Sequence, residues 1–362
     1  MVPFSRGDFV PTFVLDSTLM PDFHFSQAAG RRIVLSFFGS TRNAAPWQSF
    51  LGLVRHAADF PALNGVLFGV SADPGDRENP EFAAASARAT VFWDLDKAVC
   101  RSYGVSEPLD GEQGGDLLRA FSVVIDENLR FIAAIPMSSP EEHAARVLDA
   151  VQGIAPPVDH APVLILPDVF EPDFCTRLIA MHDTSNAFSG QMTERNGRTV
   201  GRMDRSRKSR TDHHVQEEWA LDIIRQRFLT RVRPEIRKAF AHTFTRLERY
   251  LVGCYDAADG GRFKAHRDNT TRGTAHRAFA VSVSLNDDYE GGGVQFAEYG
   301  PRIYRAPVGG AVVFSGTLMH EVMPVTRGRR CVFLTFVYDE AGRRIREQNN
   351  RYLDFDRIEA VA

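Results

Sequence analysis

A chain of 362 residues, 44% hydrophobic and 25% charged with a net charge of −3, has the balance of an ordinary globular protein and is no general polyanion binder. Its length predicts two domains at roughly 150 residues each. No apolar run reaches the ~18 residues of a membrane span, MVPFSRGDFVPTF lacks a secretory pattern, and four scattered cysteines (Cys100, Cys175, Cys254, Cys331) exclude a zinc ribbon and a disulfide-stapled scaffold. These features predict a protein of the reducing cytoplasm.

In the first half, RRIVLSFF and NGVLFGVSA read as buried strands flanking a helix in PWQSFLGLVRHAADF, where Trp47, Phe50, Leu51 and Val54 recur at helical spacing. ATVFWDLD, a helical AVCRSYGV, the strands AFSVVIDE and RFIAAIP, and a helix opened by Ser-Pro-Glu-Glu complete an α/β sandwich. The prolines of GIAPPVDHAP then mark a seam, across which 12 basic and 19 acidic residues (−7) give way to 31 and 27 (+4). The expected organisation is a first domain over 1–154, a linker over 155–162, a second domain over 163–342 and a charged tail over 343–362.

The second half opens with a strand and helix in LILPDVFEPDFCTRLIAMHD. A basic segment, 193–214, holds seven Lys or Arg against three acids and reads as a solvated loop, with a substrate lid as the sharper alternative. Without interleaved aromatics it makes a poor nucleic-acid surface. His213 and His214, adjacent within it, would face opposite ways on a strand. Helices follow in EEWALDIIRQRFLTRVRPEIRKAF. From residue 243 short β-rich runs are separated by Gly and Asp turns, as in a β-sandwich or barrel.

Within FKAHRDNT, His266 and Asp268 stand two apart, so an extended strand directs both to one face. His320 follows at the end of GGAVVFSGTLMH. Two imidazoles and one carboxylate leave three of six metal positions open, a pattern suited to non-haem Fe(II) and its reaction with dioxygen rather than to structural zinc. Arg330, ten residues beyond His320 and past a turn, carries a planar fork that grips a carboxylate at two points. Tyr255, on the strand leading to His266, can add a phenolic hydrogen bond. Asn286 reads as the end of a strand.

YDAADGGRFKAHRD, SLNDDYEGGGVQF and HEVMPVTRGRR together resemble the catalytic core of Fe(II)/2-oxoglutarate dioxygenases, most closely the prolyl 4-hydroxylase-like branch. The resemblance implies a double-stranded β-helix (jelly roll) with flanking helices, iron on His266, Asp268 and His320, and 2-oxoglutarate on Arg330 and Tyr255. It further implies hydroxylation of an unactivated C–H bond with release of succinate and carbon dioxide, and ascorbate as a reductant. The DAADGG insert is longer than this branch's usual interval between the tyrosine and the first histidine. The substrate is a protein prolyl residue or a small metabolite; an iron- and 2-oxoglutarate-responsive interaction protein is the non-catalytic alternative.

RGDFVPTFVLD, RRIVLSFFGS, FGVSADPGDR, FWDLDKAVCRSYGV and LLRAFSVVIDEN resemble the peroxiredoxin branch of the α/β thioredoxin fold. Where that family carries a peroxidatic thiolate, this chain has Ala44, Ala45 and Pro46. Arg119 matches the family's supporting arginine, and Cys100 lies elsewhere, reading as a buried structural thiol. The resemblance therefore implies an inactive domain with a docking, substrate-presenting or homodimerising role.

Overall fold

The computed structural model describes residues 2–108, 116–157, 160–195 and 197–360. Residues 158 and 159 of the expected linker, 196 of the basic segment, and 361 and 362 of the tail lie outside the described residues. The chain divides into two compact units, Met1–Val158 with Ala297–Gly300, and Asp159–Phe296 with Pro301–Ala362. Among the described residues no helix is long and apolar enough to cross a membrane.

The first unit is built on β1 (Arg32–Gly39), α1 (Ala44–Arg55), β2 (Gly65–Ser71), β3 (Thr90–Trp93), β4 (Phe121–Ile125), β5 (Phe131–Pro136) and α2 (Pro140–Gln152). The sheet order is β3-β2-β1-β4-β5; β1 to β3 run parallel, while β4 and β5 are antiparallel. That is the thioredoxin arrangement. β1 reads as a continuous apolar run because both faces are covered. Trp47, Phe50 and Leu53 of α1, with Val147 and Val151 of α2, bury one face against Val34, Phe38 and Val124. The rings of Phe13, Phe25, Phe68 and Phe92 interlock elsewhere in the unit. Ser139 precedes α2 in extended conformation, but its hydroxyl makes no capping bond; Pro140 and the acids of the first turn remain as the start signal.

α1 starts at Ala44, and a cavity of about 490 Å³ at its N-terminal end is lined by Phe37, Phe38, Gly39, Asn43, Ala44, Pro46, Val105, Arg119 and Ala120. No thiol lines it. Cys100 is buried on a separate helix, and burial together with the negative charge of Asp94 pushes its thiol well above the usual range.

The second unit begins with β6 (Leu164–Leu166) and α3 (Pro172–Thr184), continues through β7 (Ala187–Phe188), β8 (Gln191–Arg195), β9 (Arg198–Met203), β10 (Lys208–Ser209) and β11 (Thr211–His214), and then turns helical in α4 (Glu218–Arg227) and α5 (Arg233–Phe240). Its catalytic-looking half comprises β12 (Arg246–Asp256), β13 (Arg262–His266), β14 (Phe279–Ser284), β15 (Val294–Gln295), β16 (Ile303–Tyr304), β17 (Ala311–Ser315), β18 (His320–Val322) and β19 (Arg329–Tyr338). A seven-stranded sheet, β6-β17-β14-β19-β12-β11-β7, opposes a five-stranded one, β10-β13-β18-β15-β16, as in a jelly roll.

Period-two alternation sorts the larger sheet's side chains. Val252, Cys254, Cys331, Phe333 and Val337 pack against Phe174, Leu178, Ile224, Phe228 and Ile236 of the helical layer. Tyr255 and Val332 occupy the other face, where they meet Val322 of the smaller sheet. Cys254 and Cys331, directly opposed on β12 and β19, form a disulfide. Cys100 and Cys175 are free, and with one disulfide present the cysteines no longer argue for a reducing compartment.

Two segments are more ordered than their composition suggested. The basic stretch is no solvated loop: β8 and β9 form a hairpin, β10 pairs with β13, and β11 pairs with β12. His213 and His214 lie on β11. The tail forms α6 (Glu340–Asn349) and β20 (Leu353–Ala360), the latter added parallel to β9.

Candidate metal centre and cosubstrate pocket

His266 ends β13 and His320 begins β18, and these residues are direct partners across the antiparallel pair. Asp268 lies just beyond β13, its N–H donating to the Gly316 carbonyl at 2.9 Å. Potential ligand atoms of all three converge within 4.8 Å of one another. His266 Nε2 lies 3.6 Å from Asp268 Oδ1, and His320 Nε2 lies 3.5 Å from Asp268 Oδ2.

The outer nitrogens fix the tautomers. His266 Nδ1 faces the Lys264 carbonyl at 2.8 Å and His320 Nδ1 faces that of Leu318 at 3.0 Å, so each Nδ1–H donates outward. Each Nε2 lone pair is left pointing at the common centre, the usual support for a metal-binding imidazole. Burial and the neighbouring His320 push His266 well below the ordinary histidine range, favouring the neutral, ligating form. Phe263 stacks on His266 at 3.5 Å between centroids, and Phe314 and Phe296 flank His320. An open-faced centre of two neutral imidazole nitrogens and one carboxylate, walled by aromatic rings, fits a ferrous ion.

Tyr255 and Arg330 are cross-strand partners on the inner face of the larger sheet, with the guanidinium 5.3 Å from the phenol ring centre. Arg330 is 4% exposed and has no hydrogen bond or ion pair to a described side chain. A buried guanidinium left this way is costly unless an anion completes it. Its room comes from Gly292, whose φ is +69° and where a Cβ would stand 2.9 Å from Arg330 Cδ. The residues therefore fit 2-oxoglutarate, a dicarboxylate for which Arg330 would supply a countercharge.

Sequence reasoning passed over three parts of this site. Asn286, taken for a strand end, clamps both peptide groups flanking Arg330: its Nδ2 donates to the Arg329 carbonyl at 2.7 Å and its Oδ1 accepts from the Cys331 N–H at 2.8 Å. Arg210 and Asp212, hidden in the basic segment, form a buried two-pronged ion pair at 2.5 and 2.7 Å. Although burial opposes both charges, each holds the other ionised: Asp212 sits well below the usual carboxylate range and Arg210 above the ordinary arginine value. Arg210 reaches the Tyr255 hydroxyl at 3.3 Å and lies over Gly253, where a Cβ would meet its Cδ at 2.9 Å. The Arg-x-Asp spacing on a strand was the available signal. Glu248 is the third: it binds Arg277 at 2.9 Å and His276.

Comparison with known proteins agrees with this geometry. Residues 250–338 match the 2OG-Fe(II) oxygenase superfamily. A PKHD-type hydroxylase of Bordetella pertussis is 30% identical over 178 residues, 45% of this chain and 72% of that protein. One of Pseudomonas fluorescens is 32% identical over 120 residues, so this chain spans only 50% of its length. The multifunctional procollagen lysine hydroxylase and glycosyltransferase of Rattus norvegicus is 32% identical over 133 residues, 35% of this chain and 17% of that protein. For the first unit, the crystal structure of peroxidoxin BcpB from Mycobacterium tuberculosis superposes with a TM-score of 0.37 at 21% identity, covering 42% of this chain and 99% of that one. With the ligand triad, the orphaned Arg330 and these relatives in place, the chain belongs to the PKHD-type hydroxylases of the 2OG-Fe(II) oxygenase superfamily.

Proposed function

We propose that the second unit is an Fe(II)- and 2-oxoglutarate-dependent dioxygenase that hydroxylates an unactivated C–H bond, and that ascorbate maintains its iron in the ferrous state. The observation that carries the reading is the convergence of His266, Asp268 and His320 within 4.8 Å, set between the same two sheets as the unpaired Arg330. When bound, iron with 2-oxoglutarate supplies the oxidising chemistry, with succinate and carbon dioxide as coproducts. His266 and His320 would present Nε2, and Asp268 a carboxylate oxygen, to the metal. Arg330 would grip the distal carboxylate of the cosubstrate and Tyr255 would add a hydroxyl donor. Asn286 keeps Arg330 in place, and Phe263, Phe296 and Phe314 shield the centre from water. A prolyl residue of a protein and a small metabolite are the two substrate types to be separated. The first unit, without a peroxidatic thiol at α1, serves docking, substrate presentation or pairing of two chains.

Succinate release with Fe(II), measured with and without cell extract, tests the reading. Wild type should turn over 2-oxoglutarate and respond to extract, and His320→Ala should fall to background. Equal release from the variant would remove the proposed centre.

A further inference from the structure

Arg249 has an unusual place on β12. The pairing with β19 shifts register between Glu248, opposite Phe336, and Leu251, opposite Leu334, so Arg249 and Tyr250 share one partner position. Leu247 and Tyr250, three residues apart, both pack against the helical core. The bulge therefore consumes one residue, and it turns Arg249 onto the same inner face as Glu248. The device is costly, because Arg249 adopts φ +65°, in the left-handed region that a long side chain rarely occupies. Such backbone outliers persist where the surrounding structure dictates them, commonly at functional sites.

The half-buried guanidinium has no hydrogen bond or ion pair to a described residue. Its electrostatic neighbours are Arg277, Arg210, Asp212 and Glu248; both acids are already engaged, by Arg210 and Arg277 respectively. Burial, together with the two arginines, lowers Arg249 to about 10, which leaves it charged at neutral pH. Lys208, on the smaller sheet and within electrostatic reach of Arg249, is 4% exposed; its ammonium donates to the Gly190 carbonyl at 2.7 Å, and no carboxylate of a described residue is in ion-pair contact with it. Lys208 is paired with Phe263, the residue stacked on His266.

Arg249 is placed for substrate rather than cosubstrate, and Lys208 is within electrostatic reach of it. Tyr255 and Arg330 mark one level of the sheet, and Arg249 lies roughly 15–20 Å along the strand from that level. Asp268 belongs to Arg249's end: it is bonded to Gly316, next to Ser315, which pairs with Phe279 and through it with Val337. Arg277 confirms the level, with its guanidinium 4.0 Å from the Phe336 ring and 3.4 Å from the Asp268 carbonyl.

We infer that Arg249, with Lys208, forms a substrate-anion subsite, and that the molecule oxidised carries a carboxylate, from a free acid or an acidic residue of a peptide. The inference rests on the oxygenase reading for the place of reaction, while the subsite stands on the chain's own cations. It is tested on the full chain loaded with Mn(II) and saturated with 2-oxoglutarate, so that Arg330 is occupied. Calorimetric titration uses acetate, N-acetyl-L-aspartate and acetyl-Gly-Asp-Gly-amide, with the corresponding neutral amides as controls. Binding by the small acids alone assigns a free acid, and binding by the peptide assigns an acidic residue. Arg249→Asn deletes the cation while suiting the left-handed backbone, so its melting temperature should not fall. It should weaken acid binding at least tenfold, and Arg249→Lys should recover part of that loss. Amides binding as well as acids, unaltered affinity in Arg249→Asn, or no binding by any acid to the loaded wild type would overturn the subsite. Acid binding that depends on Arg249 in a chain that takes up neither Mn(II) nor 2-oxoglutarate would sustain the subsite and overturn the oxygenase reading alone.

Discussion

Replacing Arg330 with methionine tests the proposed cosubstrate anchor, because the guanidinium is 4% exposed and makes no ion pair with a described residue that the change would break. In the ligand-free protein an unpaired buried cation is exchanged for an apolar side chain of similar length, so stability should hold or rise by up to about 1 kcal/mol. In the complex, a partner of a buried charge pair is lost, at a cost of about 2–5 kcal/mol. At 1.4 kcal/mol per factor of ten, the Kd for 2-oxoglutarate should rise about 30-fold to about 4,000-fold. Mn(II) affinity, set by His266, Asp268 and His320, should stay near wild type. Calorimetry of 2-oxoglutarate into the Mn(II)-loaded chain, alongside thermal melting without ligands, measures each quantity. A Kd within threefold of wild type would refute the anchor. A melting temperature several degrees lower in the ligand-free variant would show that Arg330 holds up the fold instead.

The neighbouring groups give graded expectations. Asn286→Ala leaves the Arg329 carbonyl and Cys331 N–H without their clamp, at about 1–3 kcal/mol, so 2-oxoglutarate KM should rise roughly 5-fold to 100-fold; an unchanged KM would count against its positioning role. Arg210→Met strands Asp212 in the interior, and denaturant unfolding should show a loss of about 3–5 kcal/mol, whereas a stable variant would mean water reaches Asp212. The Cys254–Cys331 disulfide closes a separation of 77 residues, and reduction should lower stability by about 2–4 kcal/mol; intact mass showing four free thiols in the unreduced protein would contradict the pairing. Glu171, bonded by Arg227 and then Arg231, is lowered from 4.5 to about 2, so its contribution is present above pH 4.5 and lost as pH falls towards 2. Glu171→Gln should flatten the stability profile across that window, and an unchanged acid limb would show that the contacts are absent in solution.

Legibility in the sequence followed the range of the interaction. His266 and Asp268 could be placed on one face from a spacing of two, and Arg330 from a strand, a turn and a return strand, because strand geometry is local. The thioredoxin sheet was readable from RRIVLSFF and NGVLFGVSA, whose unbroken apolar runs require covering on both faces. What escaped depended on register between distant strands. Nothing near Cys254 announces Cys331 as its partner, and that pairing is fixed only when Tyr255 and Arg330 are aligned. The basic segment misled because composition was read before periodicity. Lys208, on a strand, and Arg210, between two strands, are buried, and their charge is a property of the interior rather than of a solvated surface. The left-handed Arg249 is least legible of all, since no residue in RLERYLV has the freedom of glycine that normally marks such a turn.

Charge balance between the two sheets connects the anchor to the substrate subsite. Arg210 is met by Asp212 and Arg277 by Glu248, while Asp268 belongs to the metal centre. Arg330, Arg249 and Lys208 have no carboxylate of a described residue in contact. A divalent metal and the dianion of 2-oxoglutarate cancel one another, so loading the centre satisfies Arg330 locally but leaves the total excess unchanged. Burial and the neighbouring Arg210 and Arg249 weaken the hold of Lys208 on its proton, and an anion placed beside it would strengthen that hold. Arg249 cannot shed its proton at neutral pH. A neutral substrate would thus have to enter a pocket whose remaining field it does nothing to relieve, whereas a carboxylate relieves that field and favours protonation of Lys208 as it docks. Any proton uptake on acid binding, read from calorimetry in buffers of different ionisation enthalpy, should therefore disappear in Lys208→Met. Uptake of the same size in that variant would place the proton elsewhere and remove Lys208 from the subsite.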